Sequence, residues 1–128
     1  MLTKVADIMR RDEALATVPE GSAVREALAA MTKARAGACL VLAIDGRLAG
    51  IFTHGDFVRA FQREAHIGDL AVDGFMTRKP ISVRAESLAA EAIKTIGHSR
   101  VDDVVVLDAD DHPVGLIDTQ DLARLKVV

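Results

Sequence analysis

The chain has 128 residues, half of them hydrophobic, with 16 Lys and Arg against 19 Asp and Glu and a net charge of −3, which fits one ordinary domain or two very small ones with apolar material for a core. Four Phe, no Trp or Tyr and no cluster of Lys and Arg long enough to make a basic stripe argue against a nucleic-acid partner, which calls for such a stripe or for aromatic stacking platforms. No apolar run approaches the roughly 20 residues of a membrane span, and the first nine residues lack the basic region and apolar core of a signal peptide, so the expectation is a cytoplasmic protein with no membrane partner.

In chain order, Lys4 to Met9 reads as a short helical lead-in, ended by the charged stretch Arg10-Arg11-Asp12-Glu13. Ala16-Thr17-Val18 is a short extended piece stopped by Pro19 and Gly21. Ser22 is a good N-cap for a helix from Ala23 to about Lys33, whose Val24, Ala27, Leu28 and Met31 follow the spacing of one buried face. Gly37 closes it. Ala38 to Ile44 is an almost unbroken apolar strand, expected to be covered on both faces. It contains the single cysteine, Cys39, which is therefore read as an inert core residue. Asp45-Gly46 is a tight-turn dipeptide, so the strand Arg47 to Phe52 should return antiparallel. Thr53 opens the next helix, which carries Phe57, Val58, Ala60 and Phe61.

After a polar linker from Glu64 to Asp69 the programme restarts. Val72-Asp73-Gly74-Phe75-Met76 echoes Val5-Ala6-Asp7-Ile8-Met9, and Ile81-Ser82-Val83 echoes Ala16-Thr17-Val18. Ser87 caps a second helix with Ala92, Ile93 and Ile96; Val104 to Leu107 is the second buried strand, and Val114 to Ile117 the returning one. Asp118 begins the last helix, with Leu122 and Leu125 apolar. A constant shift of 65 pairs Ser22 with Ser87, Glu26 with Glu91, Arg35 with Arg100, Val41 with Val106, Gly50 with Gly115 and Asp56 with Asp121, without a gap. The chain is an internal duplication, divided as residues 1–63 and 64–128. Neither half can bury both faces of a three-stranded sheet alone. The expected fold is α+β: two pseudo-symmetric β-α-β-β-α repeats packed sheet to sheet, with their corner motifs on a shared cleft.

Those corners are Gly50-Ile51-Phe52-Thr53-His54-Gly55-Asp56 and Gly115-Leu116-Ile117-Asp118-Thr119-Gln120-Asp121. Each places an oxygen-bearing side chain and an aspartate at the start of a helix, where N–H groups are free. One reading is a pair of N-caps with first-turn acids favoured by the helix dipole. The other is a duplicated ligand site.

The helix–strand–helix–strand–strand–helix order, the lead-ins Asp7-Ile8-Met9 and Phe75-Met76-Thr77 and the two corners resemble a tandem of cystathionine-β-synthase (CBS) domains over the whole chain. In that family the pattern Gly-apolar-x-Thr/Ser-x-x-Asp holds the ribose of a nucleotide. The resemblance therefore implies Thr53 and Asp56 as ribose ligands, with Asp121 retained in the second copy. Asp118 departs from the pattern by replacing the hydroxyl with a carboxylate, which would repel a nearby phosphate. More finely, Gly50-Ile51-Phe52-Thr53-His54-Gly55-Asp56-Phe57 and the ending Asp121 to Val128 are similar to the C-terminal CBS pair of D-arabinose-5-phosphate isomerases, enzymes of the route to 3-deoxy-D-manno-octulosonate (Kdo). Catalysis there belongs to an N-terminal sugar-isomerase domain, none of which is read in these 128 residues. The chain is thus expected to be a regulatory fragment of such an enzyme or a free-standing CBS pair.

The remaining candidates carry two readings each. His54 is a solvent-facing first-turn residue or a contact to a ligand phosphate or carboxylate. Arg35 and Arg100, just before the two buried strands, are surface charges or phosphate-holding guanidiniums. Thr17 and Ser82, at matched places on the short extended pieces, complete the candidate ligand set. His54, His66, His98 and His112 show no metal-ligand spacing, and no nucleophile stands with a base, so neither a metal nor catalysis is expected. Two functions stay open. One is a ligand-sensing regulatory pair binding a nucleotide or nucleotide-sugar, with cytidine-activated Kdo (CMP-Kdo), AMP or ATP as effectors; the other is a structural dimerisation module with no ligand. In either case a homodimer is expected, because the helices around Phe57–Phe61 and Leu122–Leu125 should expose apolar residues.

Overall fold

The computed structural model describes residues 2–98 and 101–125. Its helices and strands are α1 (Val5–Ile8), β1 (Ala16–Pro19), α2 (Val24–Ala34), β2 (Ala38–Leu42), β3 (Leu48–Thr53), α3 (His54–Phe61), β4 (Ser82–Arg84), α4 (Ala89–Ile96), β5 (Asp103–Leu107), β6 (Pro113–Asp118) and α5 (Thr119–Leu125). They form two compact units: Glu13–Pro80, and Met1–Asp12 together with Ile81–Val128. The packing units thus differ from the contiguous halves 1–63 and 64–128 by two exchanged segments, residues 1–12 and 64–80. Each sheet is completed by the lead-in of the other copy.

In the unit Glu13–Pro80 the sheet order is β1-β2-β3, with β1 parallel and β3 antiparallel to the central β2. Cys39, Leu40 and Val41 of β2 are buried, as an unbroken apolar run predicts for a strand covered on both faces. The amphipathic face of α2 buries Val24, Ala27 and Met31 against the sheet, with Phe52, Ala60, Ile67 and Val72 in the same core. Val72 comes from the linker side of the chain, and so do the partly buried Phe75 and Met76. The strand expected to reach Ile44 stops at Leu42. The Ala43 N–H donates to Arg47 and that of Gly46 to Ala43, closing a turn that leaves Ile44 fully exposed.

The other unit repeats the plan with β4-β5-β6. The pairings Val41↔Gly50 and Val106↔Gly115 correspond, and each hairpin has its irregularity one residue later, at Val41/Leu42 and Val106/Leu107. Val5 of α1 is fully buried here with Ala92, Ile96, Val104, Val106, Ile117 and Leu122.

The exchanged lead-ins correct the capping expected from the sequence. Helix α2 has its N-cap at Ala23 and α4 at Leu88, one residue beyond Ser22 and Ser87. The N–H of Val24 donates to the Leu70 carbonyl (2.9 Å) and that of Ala89 to the Thr3 carbonyl (2.8 Å). A neighbouring main chain thus satisfies donors that a serine hydroxyl would otherwise take. The serine carbonyls serve the lead-ins in return, Ser22 accepting from the Val72 N–H and Ser87 from that of Val5.

Candidate functional site

Each lead-in also crosses a corner motif. Ile51 and Thr77 exchange backbone hydrogen bonds of 2.9 and 2.8 Å, and Arg10 and Leu116 exchange bonds of 2.7 and 3.1 Å. This is why both motifs begin with glycine. A Cβ at Gly50 would lie 2.8 Å from the Thr77 carbonyl oxygen, and one at Gly115 2.8 Å from that of Arg10. The glycine of the motif thus makes room for a main chain.

At the first corner, β3 runs into α3 through Thr53. The Thr53 hydroxyl accepts the Asp56 N–H (3.1 Å), and an Asp56 carboxylate oxygen accepts the Thr53 N–H (3.0 Å). This reciprocal capping box satisfies two donors at the helix start. The other Asp56 oxygen accepts from the Arg59 guanidinium at 2.8 Å. The N-cap reading is therefore correct for Thr53, and it leaves the ligand reading open. Each oxygen retains acceptor capacity and the hydroxyl proton is free to donate. The exposed His54 donates its N–H to the Gly37 carbonyl (3.0 Å), bringing the start of α3 to the loop that follows Arg35. Arg35 is the left-handed C-cap of α2 (φ 55°), and its side chain is exposed. Thr17 is exposed on β1, paired with Leu40, so the width of β2 separates it from Thr53.

The second corner has different chemistry. Asp118 accepts the Gln120 N–H at 2.8 Å. Asp121, the counterpart of Asp56, is bound by Arg10 through Nε–H at 2.8 Å, with both side chains about one-fifth exposed (19% and 22%). Arg10 holds the lead-in position that Thr77 holds at the first corner. Asp103 pairs across the ladder with Asp118, where the first copy pairs Ala38 with Thr53. Burial, then the charges of Asp118 and Asp102, push the Asp103 carboxyl up from 3.8 to about 6; Arg10 pulls it down and Asp121 adds to the rise. Ser82 is exposed on β4, and Arg100 lies outside the described residues.

Sequence reasoning missed Arg10 and Asp103. The signal for Asp103 was in the 65-residue shift, which sets it against Ala38. Arg10 was hidden because the lead-ins follow a different offset and their sheet partners cannot be read from the repeat. Among the described residues, Asp108, Asp110 and His112 bring metal-ligand atoms within 4.8 Å of one another. Asp108 serves the hairpin turn there, accepting the N–H groups of Asp110 and His112. Cys39 is buried, and burial pushes its thiol up to about 12, so it is unreactive in the folded chain.

The CBS domain pattern matches residues 5–63 and again 67–127. The chain belongs to the CBS-domain family. The two repeats account for nearly all of the sequence, and no isomerase domain lies within these 128 residues. The CBS pair is 42% identical over its full length to an arabinose 5-phosphate isomerase, KdsD, from Pseudomonas aeruginosa, and spans 39% of the length of that relative. Among solved structures, its fold is shared with a CBS-domain containing protein from Agrobacterium tumefaciens (TM-score 0.81, 24% identity, 99% of this chain and 96% of that one). It is also shared with a CBS domain protein from Pyrobaculum aerophilum complexed with AMP (TM-score 0.82, 21% identity, 93% and 89%). No helix among the described residues is long and apolar enough to cross a membrane.

Proposed function

We infer that this CBS pair is a non-catalytic, ligand-sensing module that binds a nucleotide or nucleotide-sugar at its first corner and regulates an arabinose-5-phosphate isomerase. The observation that carries this reading is the first corner itself. A hydroxyl that both donates and accepts stands beside a carboxylate with spare lone pairs, at the start of a helix whose dipole favours negative charge. A ribose diol donates to Asp56 and accepts from Thr53, and His54 and Arg35 are the candidates for a phosphate, since the His54 N–H bonds the Gly37 carbonyl two residues after Arg35. The similarity of this whole chain to 39% of the Pseudomonas aeruginosa enzyme supports the isomerase as the regulated activity, whether its catalytic domain is joined to this chain or separate. The AMP complex of the Pyrobaculum aerophilum protein supports nucleotides as the ligand class.

CMP-Kdo, as an activated end product, and AMP or ATP are the effectors to test. A thermal-shift screen with AMP, ATP, CMP and CMP-Kdo decides among them. A ligand present at about 100 times its dissociation constant adds roughly 2.7 kcal/mol to the native state. No shift with any of the four counts against the reading. The second reading, a dimerisation module without ligand, is favoured by the exposed Val58 and Phe61 of α3 and by a capping box already satisfied within the chain. That reading predicts a dimer that the same four compounds leave unchanged.

A further inference from the structure

The two corners descend from one duplicated motif, yet their aspartates are used differently. Asp56 bonds its own helix start and is also ion-paired at 2.8 Å, but to Arg59 of the same helix, whose side chain is 69% exposed and can swing into water. Asp121 is tied to a residue 111 positions away, the Arg10 guanidinium, in an ion pair largely withdrawn from water. The lead-in residue at the matching place in the first corner is Thr77, which carries no charge. Nothing in the backbone plan calls for the arginine. The lead-in hydrogen bonds are made by main-chain atoms at both corners, and Thr77 makes them as well as Arg10 does.

We propose that Arg10 is the resident counter-ion of the second corner and holds it shut, so that each chain takes a single nucleotide, at the first corner. This rests on the proposed function above. A ribose diol reaching Asp121 must replace a bond in which both partners are charged with ones in which only the carboxylate is, and would leave the Arg10 guanidinium withdrawn from water without that counter-ion. It would meet Asp118 where the first corner offers the Thr53 hydroxyl, and Asp103 directly across the ladder. A phosphate is excluded further by those carboxylates. Arg10 is thus a specificity-determining residue outside both corner motifs.

The test is titration calorimetry with adenosine, a probe whose diol is present and whose neutrality removes repulsion by the carboxylates. The wild-type chain should bind one adenosine, and Asp56→Ala should weaken that event by about one to two orders of magnitude. Arg10→Thr, which installs the residue of the other lead-in, should bind a second adenosine. The second event should survive in Arg10→Thr/Asp56→Ala and disappear in Arg10→Thr/Asp121→Ala. Arg10→Gln keeps much of the side chain without its charge and should behave like Arg10→Thr if the threonine variant fails to fold. Two events in the wild-type chain, or a single event in well-folded Arg10→Thr, overturn the proposal while leaving the first-corner reading intact. One event in Arg10→Thr/Asp56→Ala with none in the wild type does the reverse. No event in any variant, with adenosine or with cytidine in its place, overturns both.

Discussion

Asp103 and Asp118 stand directly opposite one another across the β5–β6 ladder, two carboxylates at paired positions of an antiparallel sheet. Partial burial disfavours the charged form of Asp103 most, and like charges so placed destabilise a strand pair further. With its carboxyl pushed up from 3.8 to about 6, the folded chain holds this proton more tightly than the unfolded chain. The contribution of Asp103 is therefore most favourable below 3.8 and is lost as pH rises through about 6. The full change corresponds to roughly 3 kcal/mol, and solvent screening of a partly exposed group leaves about 1 kcal/mol. Urea titrations should show Asp103→Asn matching the wild type near pH 3 and exceeding it by about that much above pH 7. Stability curves that run parallel across this range would remove the carboxylate pair as their cause.

Asp56 and Asp121 should separate binding from stability. Asp56→Ala should cost on the order of 1.5–3 kcal/mol of nucleotide affinity, the range for hydrogen bonds to a charged group. Asp121→Ala should cost much less affinity, because its carboxylate is committed to Arg10. Its loss should appear in the denaturation midpoint, since an arginine withdrawn from water loses its ion-pair partner. Calorimetry and urea melts on the same two proteins check both halves. Equal losses of affinity, or a larger loss at Asp121, refute the assignment of the site.

The glycines of the first corner should respond to alanine in opposite directions. At Gly50 the added methyl meets the Thr77 carbonyl at 2.8 Å, a main-chain atom that cannot turn away. Overpacking of this kind costs about 1–3 kcal/mol. At Gly55 the nearest atom is Arg59 Nη1, 3.2 Å away at the end of a flexible side chain. Gly55 lies in the first turn of α3, where alanine gains up to about 0.5 kcal/mol over glycine, the low end of the mid-helix range. Thermal melts of Gly50→Ala and Gly55→Ala should move to opposite sides of the wild type.

Val58 and Phe61 are 55% and 53% exposed on α3, and Phe61 stacks on Phe57 with ring centroids 5.6 Å apart. The matching expectation for Leu122 fails, because that side chain is buried in the core beside Ile117; the Leu125 side chain lies outside what is described. The apolar surface that motivates a homodimer is thus on α3. Sedimentation at tens of micromolar should give a dimer for the wild type and a monomer for Val58→Glu/Phe61→Glu, on the scale where standard interfaces persist. A wild-type monomer, or a dimer indifferent to both glutamates, removes α3 from the interface.

The duplication, the two hairpins, the buried central strands and the corner motifs were legible in the sequence because each is local. They are set by apolar periodicity, turn dipeptides and a repeat that needs no gap. The burial of α2 through Val24, Ala27 and Met31 follows from spacing alone, and the Thr53 cap from its place before a helix. What only the tertiary structure decided concerns residues far apart in the chain. The lead-ins dock on the sheet of the other copy, so Val5 is buried with Val104 and Val72 with Phe52. That exchange supplies backbone caps in place of Ser22 and Ser87, requires glycine at positions 50 and 115, and brings Arg10 to Asp121. Sequence patterns report which face of an element seeks burial. They do not report which distant segment covers it, because any segment offering free main-chain groups and an apolar side chain meets the same need.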